Sequence, residues 1–180
     1  MITRLGVPTT SSMSPAPTAA SGLNAAALRT GLPACDPAGD TGRMPLEITD
    51  QIRRHLTEDP LAWLTTVTPS GRPAPRPIWF IWDGSTVTIY SLNNSAKLRH
   101  IEANDQVSLH FNPGPDGNDV VVIAGRARVL AEAPLPSQRP DLTAKYKDRV
   151  ERMGQTTQWW DTNYSTAIQV NLERAWTIPG

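Results

Sequence analysis

The sequence predicts a mainly-β domain: six antiparallel strands rolled into a small closed or split barrel, with flanking helices. Three observations carry this. Apolar, β-branched and aromatic segments recur along residues 61–178, as strands require. The turns between the first of them are short: Pro69-Ser70-Gly71-Arg72, Asp83-Gly84 and Pro113-Gly114-Pro115-Asp116-Gly117. Short connections join antiparallel neighbours, whereas a doubly wound sheet needs a helix between most strands.

In chain order, residues 47–59 read as a helix. Ile48, Ile52 and Leu56 recur at four-residue spacing and Pro60 closes it. Residues 61–68 form the first strand. The second is the apolar run 78–82, bounded by Pro77 and by Asp83-Gly84, a strong hairpin signal. Pro73, Pro75 and Pro77 cannot donate to a ladder, so this strand is expected to begin at an edge and pair well only near Ile78. Residues 86–92 follow as a strand. Asn93-Asn94-Ser95 then reads as an N-cap cluster for a short helix with Leu98 and Ile101 on its apolar side. Asn104-Asp105 ends that helix and residues 107–111 return to strand. Residues 120–130 form another strand, with Gly125 at a bulge or bend and Arg126 and Arg128 on a solvated face. Pro134, Pro136 and Pro140 mark a loop, residues 141–153 a helix, Trp159-Trp160 a short segment, and residues 166–178 the last strand.

Composition bounds the rest. The chain has 180 residues and a formal net charge of +0, with no basic footprint for nucleic acid. Its single cysteine, Cys35, allows no disulfide framework and no zinc spacing. This fits a reducing compartment and a cytoplasmic location. No apolar run approaches the roughly 18 residues of a membrane span. Residues 1–43, rich in Ala, Thr, Ser, Pro and Gly without periodicity, read as a disordered extension to the barrel domain at 44–180. Translation starting at Met44 accounts for them equally. The six tryptophans suit cores, interfaces and planar ligands alike.

No dinucleotide-binding glycine motif, P-loop or nucleophile elbow is present, and His55, His100 and His110 lie at no metal spacing. The positive signal is Arg76 together with Ser95-Ala96-Lys97. A lysine in the first turn of a helix stands beside free backbone N–H groups and the positive end of the dipole, where a phosphate meets several donors at once. A capping Ser95 and a solvated Lys97 would give the same pattern.

Several phrases extend this signal: Leu64-Thr65-Thr66-Val67, Gly71-Arg72-Pro73, Pro77-Ile78-Trp79-Phe80, Tyr90-Ser91, Ser95-Ala96-Lys97 and Asn104-Asp105-Gln106-Val107-Ser108-Leu109. In this order and spacing the chain resembles the pyridoxamine 5′-phosphate oxidase-like split β-barrel superfamily. It is most similar to the branch that uses the deazaflavin coenzyme F420. The resemblance implies a homodimer with cofactor held between subunits. It places the cofactor against Arg76, Pro77, Ile78, Trp79, Phe80, Tyr90, Ser91, Ser95, Ala96 and Lys97, with Arg76 and Lys97 on the phosphate. The implied activity is hydride transfer between reduced F420 and a small conjugated organic acceptor. An FMN flavoprotein, or a non-catalytic carrier of coenzyme or heme, are the alternatives on this fold. The chain departs from the oxidases at Ala96 and Ile81, where basic residues are expected, and in its tail Asn171-Leu172-Glu173-Arg174-Ala175-Trp176. These departures favour a deazaflavin over FMN. Tyr90 and His110 are the candidates for a general acid, because they titrate and lie near the motif.

Overall fold

The structure, a computed structural model, describes residues 46–179. The expectations for residues 1–43, for Met44 and for Cys35 lie outside the described residues. Helix α1 (Asp50–Glu58) starts three residues later than its periodicity suggests. Thr49 sets the start: its hydroxyl accepts from the Ile52 N–H at 3.3 Å.

Seven strands follow rather than six: β1 (Ala62–Val67), β2 (Pro73–Ile78), β3 (Ile81–Trp82), β4 (Thr86–Ser91), β5 (Gln106–His110), β6 (Val120–Val129) and β7 (Thr166–Ile178). They form one antiparallel sheet in the order β2-β1-β5-β6-β7-β4-β3. The extra strand arises because the run 78–82 is not continuous. It breaks at Trp79-Phe80, and the two halves pair on opposite edges of the sheet. Pairing also covers the proline stretch, from Val67↔Pro73 to Ala62↔Ile78, instead of starting near Ile78. Pro73, Pro75 and Pro77 have the same parity along the strand, so their missing donors all face the open edge, and Ala74, Arg76 and Ile78 serve β1.

Two edges joined by Trp79 and Phe80 alone cannot lie far apart. Three Cα steps reach about 11 Å, so the sheet must curl until its edges nearly meet. Its concave side is filled by Leu64, Ile78, Phe80, Ile89, Ile123 and Ile168, and α1 adds Ile52 and Leu56 to this core. The bulge expected at Gly125 is present as a register shift between Ala124 and Gly125. A Cβ there would strike the Asn171 carbonyl, so only glycine fits. A charged clasp fixes α1. His55 is buried with Nδ1 2.7 Å from Asp59 and Nε2 3.2 Å from Asp119. Arg54 adds two bonds to Asp119 at 2.7 and 2.8 Å. These contacts, the Arg54 bonds first, hold the Asp119 carboxyl down at about 2.

The convex side of β4 and β7 carries a second apolar layer. Helices α3 (Pro140–Arg152) and α4 (Thr157–Asn163) cover Ile81, Tyr90 and Ala167 with Leu142, Tyr146, Val150 and Trp160. Tyr146 is the pivot. Its ring stacks on Trp79 with centroids 4.8 Å apart and planes 1° from parallel. Its hydroxyl accepts from the Phe80 N–H at 3.0 Å and donates to the Phe80 carbonyl at 2.8 Å. Phe80 belongs to no strand, so this one hydroxyl satisfies both polar groups of a fully buried residue.

Tyr146→Phe keeps the ring and removes both bonds. An expected loss of about 2–4 kcal/mol follows from two buried groups left unpaired, read as a lower urea midpoint. Burial pushes the Tyr146 phenol up to about 12, against about 10 in an unfolded chain. Its contribution is complete below about pH 10 and is lost as pH rises towards 12. The wild-type stability should therefore fall more steeply with pH across that window than that of Tyr146→Phe. Equal slopes would contradict the buried phenol.

Candidate functional site

A cavity of about 210 Å³ lies between the end of β2 and the α3–α4 pair. The sheet side presents Pro77, Ile78 and Trp79 from the strand end, Tyr90 from β4 and Leu92 just beyond it. The helical side presents Leu142, Val150 and Met153 from α3 and its end, and Trp159, Trp160 and Tyr164 from α4 and its end. Trp79 meets Trp160 edge to face at 6.2 Å and 86°, and Trp159 lies 5.7 Å from Tyr164. The lining is aromatic and aliphatic, with one charged group: Lys97, at the start of α2 (Ala96–Ala103).

Lys97 is half-buried, and its ammonium donates to Ser91 Oγ at 3.3 Å. Burial, and then the charge of Arg76, lower its pKa. Arg76 is exposed on the edge strand, where Nη1 donates to the Pro75 carbonyl at 2.8 Å. No ion pair joins either cation to a carboxylate among the described residues. Two cations near enough to repel, and neither neutralised, leave a local excess of positive charge at the end of an apolar cavity.

The fold thus brings Pro77, Ile78, Trp79, Tyr90 and Lys97 onto one cavity, with Arg76 acting on Lys97 from β2. Ser91 stands behind Lys97, buried, its own hydroxyl donating to the Leu92 carbonyl at 3.2 Å. Ser95 occupies the N-cap position of α2, yet its side chain makes no capping bond. The cap cluster is diverted: Asn93 Oδ1 accepts from Ser165 and Thr166 at 2.9 and 3.0 Å and ties this turn to β7. Ala96 is exposed at the first helical position. The first amides of α2 still lack intrahelical partners, as at any helix start. Phe80 is turned into the barrel core, and its main chain is taken by Tyr146, so neither faces the cavity.

Both expected general acids are engaged elsewhere. The Tyr90 hydroxyl donates to the Pro134 carbonyl at 2.6 Å, and burial raises its pKa. His110 sits on β5 with Nε2 2.8 Å from Ser108 Oγ and does not line the cavity. What sequence reasoning missed is the helical wall. The adjacent Trp159 and Trp160 were its visible trace, but nothing local says that α4 folds back over β4. No group of three or more His, Cys, Asp or Glu side chains that could hold a metal occurs among the described residues. Nor, among them, is any helix long and apolar enough to cross a membrane.

A curled seven-stranded antiparallel sheet with flanking helices fits the class of split-barrel proteins. Within it, the chain belongs to the pyridoxamine 5′-phosphate oxidase family, whose profile matches residues 48–178. Similar solved structures share the fold. An F420 reductase is 24% identical over 68% of this chain and 94% of its own, with a TM-score of 0.50. The heme storage protein HutZ from Vibrio cholerae is 16% identical over 75% and 96%, with a TM-score of 0.51. General Stress Protein 26 from Bacillus anthracis is 19% identical over 73% and 94%, with a TM-score of 0.53. No curated protein matches the sequence.

Because the folded chain disfavours the charged form of Lys97, that charge costs stability at neutral pH. The cost disappears as pH rises through the interval between the lowered value and about 10.4. Lys97→Met should raise the urea midpoint of the ligand-free protein near neutrality, with a gain that shrinks towards pH 10. An unchanged midpoint would mean that Lys97 is as well hydrated as any surface lysine.

Proposed function

We propose that this chain is an oxidoreductase that binds coenzyme F420, with FMN as the weaker ligand, and passes a hydride between it and a small conjugated acceptor. The observation that carries the reading is the pair Arg76 and Lys97, cations without a carboxylate partner among the described residues, at the end of an aromatic cavity. The fit is one of kind: a planar ring suits the walls and a phosphate suits the cations. The cavity in one chain is smaller than the roughly 300 Å³ at which ligand pockets begin, so a second wall is needed.

We assign that wall to a second copy. Trp63, His110, Val122 and Trp176 are in register across β1, β5, β6 and β7, so they share the convex face. Trp63 is 41% and Trp176 46% exposed, a cost that a two-fold partner relieves. Light scattering that returned the single-chain mass would remove the second copy from this reading.

The coenzyme, when bound, supplies the hydride chemistry. The chain's part is to bind and to exclude water. Lys97 and Arg76 hold the phosphate, and the first amides of α2 add donors to it. Trp79 is fixed against Tyr146 on one face, and Trp159, Trp160 and Leu142 keep the cavity apolar. Ala96 and Ile81 withhold the further basic groups that the oxidase pattern places on FMN. A carrier role is favoured by one observation, the engagement of Tyr90 and His110 elsewhere. No histidine is among the residues that line this cavity, so a histidine-ligated heme finds no support in its walls.

Fluorescence titration at fixed ionic strength tests the reading. Lys97→Ala should weaken F420 binding by about 1.5–3 kcal/mol, roughly one to two decades in Kd. Arg76→Ala should also weaken it, and the double variant should lose less than the sum if both side chains hold one phosphate. Equal affinity in wild type and Lys97→Ala would end the assignment. Consumption of reduced coenzyme with a panel of acceptors separates enzyme from carrier.

A further inference from the structure

The sequence has three lysines, Lys97, Lys145 and Lys147, against fourteen arginines. Lys147 is exposed on α3, with Nζ 3.6 Å from Glu151. Lys145, two residues earlier, is placed differently. Its Nζ lies 4.0 Å above the ring of Phe80 and 5.7 Å from that of Tyr146. It is half-buried and forms no ion pair or hydrogen bond among the described residues. The acid whose field reaches it, Asp59 at the end of α1, is held 2.7 Å from His55. The phenol beside it, Tyr146, is committed to Phe80. The amine has therefore lost much of its water without gaining an acceptor. The Phe80 ring returns part of that loss through its quadrupole, but a π-face accepts no proton. Burial brings the Lys145 amine down to about 8, with Asp59 opposing.

We propose that Lys145, which unlike Lys97 has no hydrogen-bond partner among the described residues, is a reactive amine and the most readily acylated of the three lysines towards activated acyl donors such as thioesters and acyl phosphates. The Nζ lone pair attacks the carbonyl carbon and a C–N bond forms. The C–S or C–O bond breaks, and the thiolate or phosphate leaves with its electron pair. The proton of the amine passes to water, and no oxidation state changes. Acylation turns a cation over Phe80 into a neutral amide beside Tyr146. It therefore acts on the seam that positions Trp79, whatever ligand the cavity takes. The site does not depend on the coenzyme assignment.

The full chain can be treated with a limiting amount of N-hydroxysuccinimidyl acetate and each lysine quantified by peptide mass spectrometry. Since an ordinary lysine stays protonated until about pH 10, Lys145 should acetylate at least about tenfold faster than Lys147 near pH 7.5. That ratio should narrow near pH 9.5, as exposed amines lose their protons. In concentrated urea the preference should vanish, because packing creates it. A Lys145 rate equal to or below that of Lys147, or below that of Lys97, in the folded protein would overturn the proposal. So would a preference that survives in urea, which would trace it to local sequence.

Discussion

In this sheet, whose two edge strands are joined by two residues, one residue is left with both backbone polar groups outside any strand pairing. That residue is Phe80, between β2 on one edge and β3 on the other. Its N–H and carbonyl are buried, and each would cost about 1–3 kcal/mol if left unsatisfied. Tyr146 answers both with one hydroxyl, at 3.0 and 2.8 Å. The bond pair reaches across 66 residues of sequence, so it also fixes where α3 sits on the barrel.

The cavity follows from this. Docking α3 through Tyr146 stacks Trp79 and holds the wall that α3 and α4 raise opposite the strand end. The same β2 carries Arg76, one residue before the cavity wall begins at Pro77. The turn after β4 carries Lys97 towards it. A cation pair that repels within one chain is tolerated here with no carboxylate among the described residues to quench it. The proposed phosphate would relieve that repulsion.

Much of this was legible in the sequence. The positions of β1, β4, β6 and β7 followed from apolar and β-branched segments and from turn residues, and Gly125 marked its bulge. Arg76 and Lys97 are close because β2 and the turn after β4 are brought together, which the family resemblance supplied and local pattern could not. The run from Ile78 to Trp82 looked continuous because Trp79 and Phe80 are both apolar. Burial on opposite sides of a seam leaves the same composition as burial within one strand. Ser95 is the N-cap of α2 by position, as its type suggests, but its side chain makes no capping bond, while Asn93 of the same cluster is bonded by Ser165 and Thr166, residues some seventy positions away. The helical wall was hidden for the same reason: residues 141–153 read as a helix of weak amphipathicity, and only the tertiary fold says that it closes on Tyr90 and Trp79.

Amide hydrogen exchange at Phe80 tests the seam most directly. An N–H buried and bonded to the Tyr146 hydroxyl opens only when α3 leaves the sheet. The expected result is protection close to that of the central strands β6 and β7, lost in Tyr146→Phe while those strands keep theirs. Exchange of the wild-type Phe80 amide at the rate of an unstructured peptide would contradict a barrel closed through Tyr146.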